Sequence, residues 1–119
     1  MKDGMTNVLI VGVGGQGVLL ASEMLCEVAK VLGLDVKKSE VHGMSQRGGV
    51  VTSHVRFGKK VYSPLIAEGE ADVILGFEIA EALRWVHYLR PGGTIIVNEQ
   101  KMIPPITTRS TSASASTST

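Results

Sequence analysis

One cysteine, Cys26, is the whole thiol content of this 119-residue sequence. It excludes a disulfide within the chain, and a cysteine-ligated iron–sulfur cluster or zinc site built by the chain alone. Aromatics are sparse: one Trp, two Tyr and two Phe. The core must therefore come from Val, Leu, Ile, Met and Ala, which an apolar content of 44% permits. Charge is nearly balanced, and a formal net charge of +1 leaves no overall field to draw the chain to nucleic acid or a membrane surface. No apolar run approaches 18 residues, and no charged segment leads into a short apolar one at the start. The expectation is a single-domain, soluble, cytoplasmic protein.

What the sequence does hold is glycine, 14 residues of it, with two conspicuous concentrations. Asn7 to Gly12 is a continuous apolar run ending in glycine, as expected of a parallel strand buried on both faces. Gly14-Gly15-Gln16-Gly17 then turns into a helix. Leu20, Met24, Val28, Val31 and Leu32 recur at helical spacing and predict its buried stripe, with Gly33 as the stop. A second strand over Asp35 to Val41 follows this helical crossover, so it is expected to run parallel to the first.

The second concentration comes next. Val41 to Gly49 sets His42, Ser45, Gln46 and Arg47 among Gly43, Gly48 and Gly49. Glycine supplies no side chain to pack, so three of them suit a loop lying against a ligand or another chain better than a core element. Val50 to Phe57 alternates like a strand, and Gly58-Lys59-Lys60 reads as a hairpin turn into a short strand, Val61 to Ser63, ended by Pro64. Ala71 to Gly76 is a further buried strand, Glu78 to Leu89 an amphipathic helix, Pro91 to Gly93 a turn, and Thr94 to Asn98 a last strand. Strand, helix and strand joined by glycine turns predict a Rossmann-like, three-layer α/β fold. Its sheet is expected to be mainly parallel, with an antiparallel edge hairpin.

The segment 107–119 differs from all of this. Every residue in it but Arg109 is Ser, Thr or Ala. Such a composition buries too little to offset its ordering entropy. The chain is accordingly divided into a domain over 1–106 and a low-complexity tail over 107–119, disordered or of uncertain identity.

Charge is unevenly placed. Lys37, Lys38, Arg47, Arg56, Lys59 and Lys60 face Glu40 alone between positions 36 and 60, whereas Glu68, Glu70, Asp72, Glu78 and Glu81 follow without a base up to position 81. Two solvated surfaces account for this, as does a basic middle that meets an anionic ligand or an acidic partner.

Gly12, Gly14 and Gly17 fit the spacing of a dinucleotide fingerprint after a strand and before a helix, where backbone N–H groups can hold a phosphate. The fingerprint also expects an acidic residue about 20 positions further on at the end of the second strand, however, and Glu40, the nearest candidate at a strand end, stands 28 past Gly12. In the second loop Arg47 can clamp a carboxylate or phosphate and His42 can move a proton near neutral pH. Both equally suit hydrogen bonds to loop carbonyls or to a partner. Cys26 reads as a buried thiol, His54 and His87 as structural, and Trp85 and Tyr88 as packing or interface residues.

Several unusual motifs in order carry a resemblance. Gly12-Val-Gly-Gly-Gln-Gly17, Ser39-Glu-Val-His-Gly-Met-Ser-Gln-Arg-Gly-Gly49, His54-Val-Arg-Phe-Gly58 and Val61-Tyr-Ser-Pro-Leu65 resemble the gamma-type component of 2-oxoacid:ferredoxin oxidoreductases. Glu70-Ala-Asp72, Glu81-Ala-Leu-Arg84, Pro91-Gly-Gly93 and Ile96-Val-Asn98 fit the same pattern. The nearest likeness is to the beta subunit of the indolepyruvate type, which is a homologous gamma-type chain. The resemblance covers about Asn7 to Ile106. Family members continue beyond that point, so 1–106 is read as an incomplete gamma-type domain.

The resemblance implies an enzyme complex that decarboxylates a 2-oxoacid on thiamine diphosphate, passes electrons through iron–sulfur clusters to ferredoxin, and releases an acyl-CoA. Thiamine diphosphate, magnesium and the clusters would belong to a large partner subunit, and CoA would lie at the interface. This chain would be a non-redox-centre subunit, inactive alone and a homo-oligomer when isolated, with no catalytic residue and no metal site of its own. Its contact residues would be Gly12, Gly14, Gly15, Gln16 and Gly17 in the first turn and His42, Gln46, Arg47, Gly48 and Gly49 in the second loop. Two alternatives stay open: an independent NAD(P)- or FAD-binding oxidoreductase, and a pure assembly scaffold.

Overall fold

The uninterrupted Val-Leu-Ile-Val segment becomes the central strand of a six-stranded sheet. The computed structural model describes residues 4–14, 16–42, 50–98 and 108–112. Its elements in chain order are β1 (Met5–Val13), α1 (Gln16–Val31), β2 (Asp35–His42), β3 (Val50–Gly58), β4 (Ala71–Gly76), α2 (Ile79–Arg84), β5 (Leu89–Asn98) and β6 (Thr108–Ser112). Side chains alternate across a strand. Val8 and Ile10 of β1 accordingly join Val18 and Cys26 of α1, while Leu9 and Val11 join Ala82 of α2 on the opposite face. The two helices cover opposite faces, which gives the three layers expected.

The strand order is β2-β3-β1-β4-β5-β6. β1, β4 and β5 are mutually parallel, but β3 is antiparallel to β1 along its whole length, β2 is antiparallel to β3, and β6 is antiparallel to β5. The sheet is thus parallel only at its centre, and the expectation of a mainly parallel sheet is corrected to that extent. β2 does run in the same direction as β1, yet β3 is inserted between them.

The expected hairpin into Val61–Ser63 does not form; β3 pairs with β2 instead. Side chains, not a ladder, hold the 59–70 segment. Val61 N–H donates to the Asp35 carboxylate at 2.9 Å, and the Arg56 guanidinium donates to the carbonyls of Ser63 and Leu65 at 2.8 and 3.2 Å. With Val61 and Ile66 buried, the segment is anchored without being a strand.

The second helix is also shorter than the amphipathic pattern predicts. It stops at Arg84, passes through a 3-10 turn over Val86–Tyr88, and enters β5 at Leu89. Trp85 N–H is shared between the carbonyls of Glu81 and Ala82, and Tyr88 N–H donates to Trp85, so the coil tightens and then ends. The expected turn at Pro91 to Gly93 lies within β5 as an irregularity: pairing passes from Ala71–Leu89 to Val73–Thr94, with Gly92 at φ +81°. Within the segment read as a tail, Thr108–Ser112 is a strand along β5.

The largest correction concerns α1. Leu20, Met24, Val28, Val31 and Leu32 are exposed, and the helix instead buries Val18, Ser22, Cys26 and Ala29. Small residues let the helix sit close on the sheet, and Ser53 of β3 donates a buried hydrogen bond to Ser22 at 2.9 Å. Burial raises the Cys26 thiol pKa and so disfavours its thiolate. Gly33, at φ +79°, ends the helix with its N–H on Lys30 and that of Leu34 on Ala29.

His54 on β3 is buried, and its Nδ1 accepts the N–H of Ile66 at 3.0 Å. Burial lowers its pKa below the ordinary 6.5. The unfolded chain therefore takes up a proton here at a higher pH than the folded one. Stability should be fully present above about pH 6.5 and fall as the pH drops through the lowered folded value. Urea midpoints measured between about pH 7 and pH 5 should fall for the parent and much less for His54→Asn, whose amide oxygen can still accept from Ile66. Equal slopes would remove this role.

Candidate functional site

β1, β2, β4 and β5 share one direction, so their carboxyl ends lie along one edge of the sheet. The pairings Val13–Val50 and His42–Val51 put the ends of β1 and β2 on either side of the start of β3. The first glycine turn and the second loop therefore leave the same edge two strand spacings apart, roughly 10 Å. Of the predicted contact residues, Gly12, Gly14, Gln16, Gly17 and His42 are placed. Gln16 starts α1 and is exposed, and His42 is the exposed last residue of β2. Gly15, Gln46, Arg47, Gly48 and Gly49 lie outside the described residues.

The order of the central strands makes this edge notable. From β1 the chain moves through α1 towards β2 and β3, and from β4 it moves through α2 on the other face towards β5. Connections thus diverge between β1 and β4, the topological switch point where open α/β sheets bind ligands. Here, however, the chain fills much of the crevice itself. A Cβ at Gly12 would stand 2.9 Å from Val18 Cγ2 and 3.3 Å from Phe77, and one at Gly17 would stand 3.4 Å from the Phe77 ring. The close approach of Val18 and Phe77 explains Gly12, whereas a side chain at Gly17 would meet Phe77 at ordinary contact distance. Gly14, at φ +90° with open space around it, serves the turn.

A polar contact lies at the exposed rim of the same crevice. Val13 N–H donates to Glu78 Oε1 at 3.1 Å. A carboxylate of the chain itself thus stands beside the turn to which the dinucleotide fingerprint would bring a pyrophosphate, and like charges there repel. Phe77 and Glu78 escaped the sequence reading as site residues. Their signal, a bulky apolar and an acidic residue just after a buried strand ending in glycine, acquires meaning only once β4 is known to lie beside β1.

Three bases of the basic middle, Lys37, Lys38 and Arg56, are engaged within the chain. Lys38 bridges Glu23 at 2.6 Å and Glu40 at 3.0 Å, and Lys37 pairs with Asp35 at 3.3 Å. Its hydrogen bond to Lys38 holds the Glu23 carboxyl below its ordinary range. Arg56 Nε donates to Asn7 Oδ1 at 3.0 Å. The described residues contain no group of His, Cys, Asp and Glu that could hold a metal ion, and the buried Cys26 thiol does not fit an iron–sulfur cluster.

Residues 7–118 match the family model described as pyruvate ferredoxin/flavodoxin oxidoreductase. The chain is 51% identical over 100 residues to indolepyruvate oxidoreductase subunit IorB of Thermococcus kodakarensis, a match covering 84% of this chain and 49% of that protein. It spans about half the length of the curated relatives it matches. The fold is similar to that of pyruvate oxidoreductase subunit PORC from Thermotoga maritima, with a TM-score of 0.65 at 24% identity over 83% of this chain and 52% of that one. It is also similar to a 2-oxoglutarate:ferredoxin oxidoreductase from Magnetococcus marinus with 2-oxoglutarate, coenzyme A and succinyl-CoA bound, with a TM-score of 0.64 at 17% identity over 87% of this chain and 19% of that one.

Proposed function

The chain belongs to the pyruvate ferredoxin/flavodoxin oxidoreductase family, and on that premise we propose that it is a non-redox-centre subunit of an indolepyruvate-type oxidoreductase. In that role it supports thiamine-dependent oxidative decarboxylation of a 2-oxoacid to an acyl-CoA, with electrons passed to ferredoxin. A large partner subunit holds thiamine diphosphate, magnesium and the clusters; this chain positions loops against it. The first turn and the loop from His42 to Gly49 form that contact edge, and Arg47 faces an anionic group of the partner's site or of CoA. His42 and Arg47 act as contacts, not catalysts.

The observation that favours this reading over an independent dinucleotide enzyme is the Glu78 carboxylate held by Val13 N–H at 3.1 Å. Tight-binding dinucleotides need that turn for their own phosphates. Calorimetric titration of the chain with NAD(P)H and FAD should give no binding at ligand concentrations up to about 1 mM, weaker than about 4 kcal/mol of binding free energy. Micromolar binding of either would reverse the assignment.

The direct test is co-expression with a large thiamine- and cluster-bearing subunit of an indolepyruvate oxidoreductase. Co-purification and indolepyruvate-dependent dye reduction that needs both chains support the proposal; failure of the chains to associate counts against it. In the assembled complex, Arg47→Ala should lower turnover on the order of tenfold to a hundredfold, the effect of removing one charge-assisted contact to an anion. A pure scaffold predicts unchanged turnover.

A further inference from the structure

The segment 59–70 packs Ile66 into the α2-side core without forming a strand, and side chains hold it in place. At one end Val61 N–H rests on the Asp35 carboxylate, and at the other the Asn7 amide donates to the Glu70 carbonyl at 2.8 Å. Between these ends Ile66 is 4% exposed, and its N–H donates to Nδ1 of His54 at 3.0 Å in a buried hydrogen bond. A buried N–H needs an acceptor. An accepting Nδ1 is an unprotonated one, so the ring is neutral and carries its proton on Nε2. A proton on Nδ1 would set one donor against another.

Among the described residues no carboxylate bonds His54, and burial is the one cause that lowers its pKa. Its register partners are Leu9 of β1 and Ser39 of β2, and its own strand adds Thr52 and Arg56 to the same face. Arg56 and its β2 partner Lys37 are both cations, engaged by Asn7 and Asp35, and neither can offset a buried imidazolium. From the 3-10 turn Tyr88 meets the imidazole edge-on at 6.1 Å. Glu68 and His87 pair with each other at 3.8 Å near the surface, a contact that gains attraction when His87 is protonated. The end holds do not fail with acid. The bond from Val61 N–H keeps the Asp35 carboxyl below its ordinary range, and the Asn7 amide does not titrate.

We infer that the 59–70 segment is a pH-sensitive latch, closed when neutral His54 accepts Ile66 N–H and opened when a proton on Nδ1 takes that acceptor away. At neutral pH the burial of Ile66 keeps the latch shut. On protonation Ile66 leaves the apolar cluster that it shares with Leu9, Ala71 and Leu89. Val61 and Glu70 stay tied, so the opening is local and the sheet beneath it keeps its pairing. The space vacated lies beside Tyr88 at the start of β4, the sheet edge opposite the glycine turn.

Amide exchange of the isotope-labelled chain, followed by NMR across neutral and mildly acid pH, tests the latch. After correction for intrinsic chemistry, Ile66 should exchange faster than Leu9 and Val55 and lose protection by up to about tenfold per pH unit below about pH 6.5. Low urea concentrations should leave the Ile66 rate unchanged while those of Leu9 and Val55 rise, which separates local opening from global unfolding. His54→Asn, whose amide oxygen accepts without titrating, should keep Ile66 protected with a flat pH profile. Long-range proton–nitrogen NMR of the parent needs no variant: Nδ1 of His54 should be unprotonated at neutral pH, and the Ile66 amide shift should follow its titration. Exchange of Ile66 with the rate and urea dependence of the core, a flat profile in the parent, an unchanged slope in His54→Asn, or a protonated Nδ1 at neutral pH would each overturn the latch. No turnover is read, so the outcome is separable from that of the functional proposal.

Discussion

Asp72→Ala should lower the free energy of unfolding by about 3 kcal/mol. The Asp72 side chain is buried, and its two oxygens join three strands: Oδ2 accepts Asn7 N–H of β1 at 2.8 Å, and Oδ1 accepts Nε of Arg90 on β5 at 2.6 Å. Asn7 extends the network, donating from Nδ2 to the Glu70 carbonyl at 2.8 Å and accepting from Arg56 of β3. Alanine would leave a buried N–H and a guanidinium without their acceptor. Arg90 is partly exposed and can recover water, which keeps the cost at the lower end of the range for a broken buried pair. Asp72→Asn keeps one acceptor and should cost about half as much. Urea denaturation with an unchanged slope would measure both, and a loss below about 0.5 kcal/mol for alanine would show that the network adds little.

Leu9→Ala and Leu20→Ala should differ by about 2.5 kcal/mol although the chemical deletion is identical. Leu9 is fully buried between β3 and β4 under α2, and its loss leaves a cavity worth about 3 kcal/mol. Leu20 is 62% exposed on the outer stripe of α1, and its truncation should cost under about 0.5 kcal/mol in the isolated chain. Comparable losses for the two would mean that the stripe is covered in solution, by self-association if the Leu20 effect also depends on protein concentration.

That contrast shows where sequence reading succeeds and where it stops. The strand over Asn7 to Gly12 and the one over Ala71 to Gly76 were legible because continuous apolar runs need both faces covered. The three-layer class followed from the alternation of strands and helices. The buried face of α1 was not legible from periodicity, because Leu, Met and Val outweigh Ser22 and Ala29 on any apolar scale. Close packing favours the small residues, and the larger stripe faces outwards. The insertion of β3 between β1 and β2 depends on pairing between distant residues, which local pattern does not encode. The same is true of Phe77 and Glu78, whose place at the glycine turn depends on which strand lies beside β1. The glycine spacing itself was recognisable, but Gly12 serves internal packing equally well, and only geometry separates a turn closed by the chain from one open to a phosphate.

The position of β1 also has a consequence for the order in which the molecule can be made. Val8 pairs with Val55 on one side and Val73 on the other, so neither hydrogen-bonding neighbour of the central strand is near it in sequence. On a ribosome adding about 5–20 residues per second, β1 emerges early and waits several seconds for β3 and β4. Meanwhile α1 can coil but cannot be secured, and the apolar edge of β1 stays open to other chains. Synthesis therefore passes through a vulnerable interval that ends only when β4 arrives, and slowed translation between β1 and β4 should raise aggregation more than the same delay placed after Asn98.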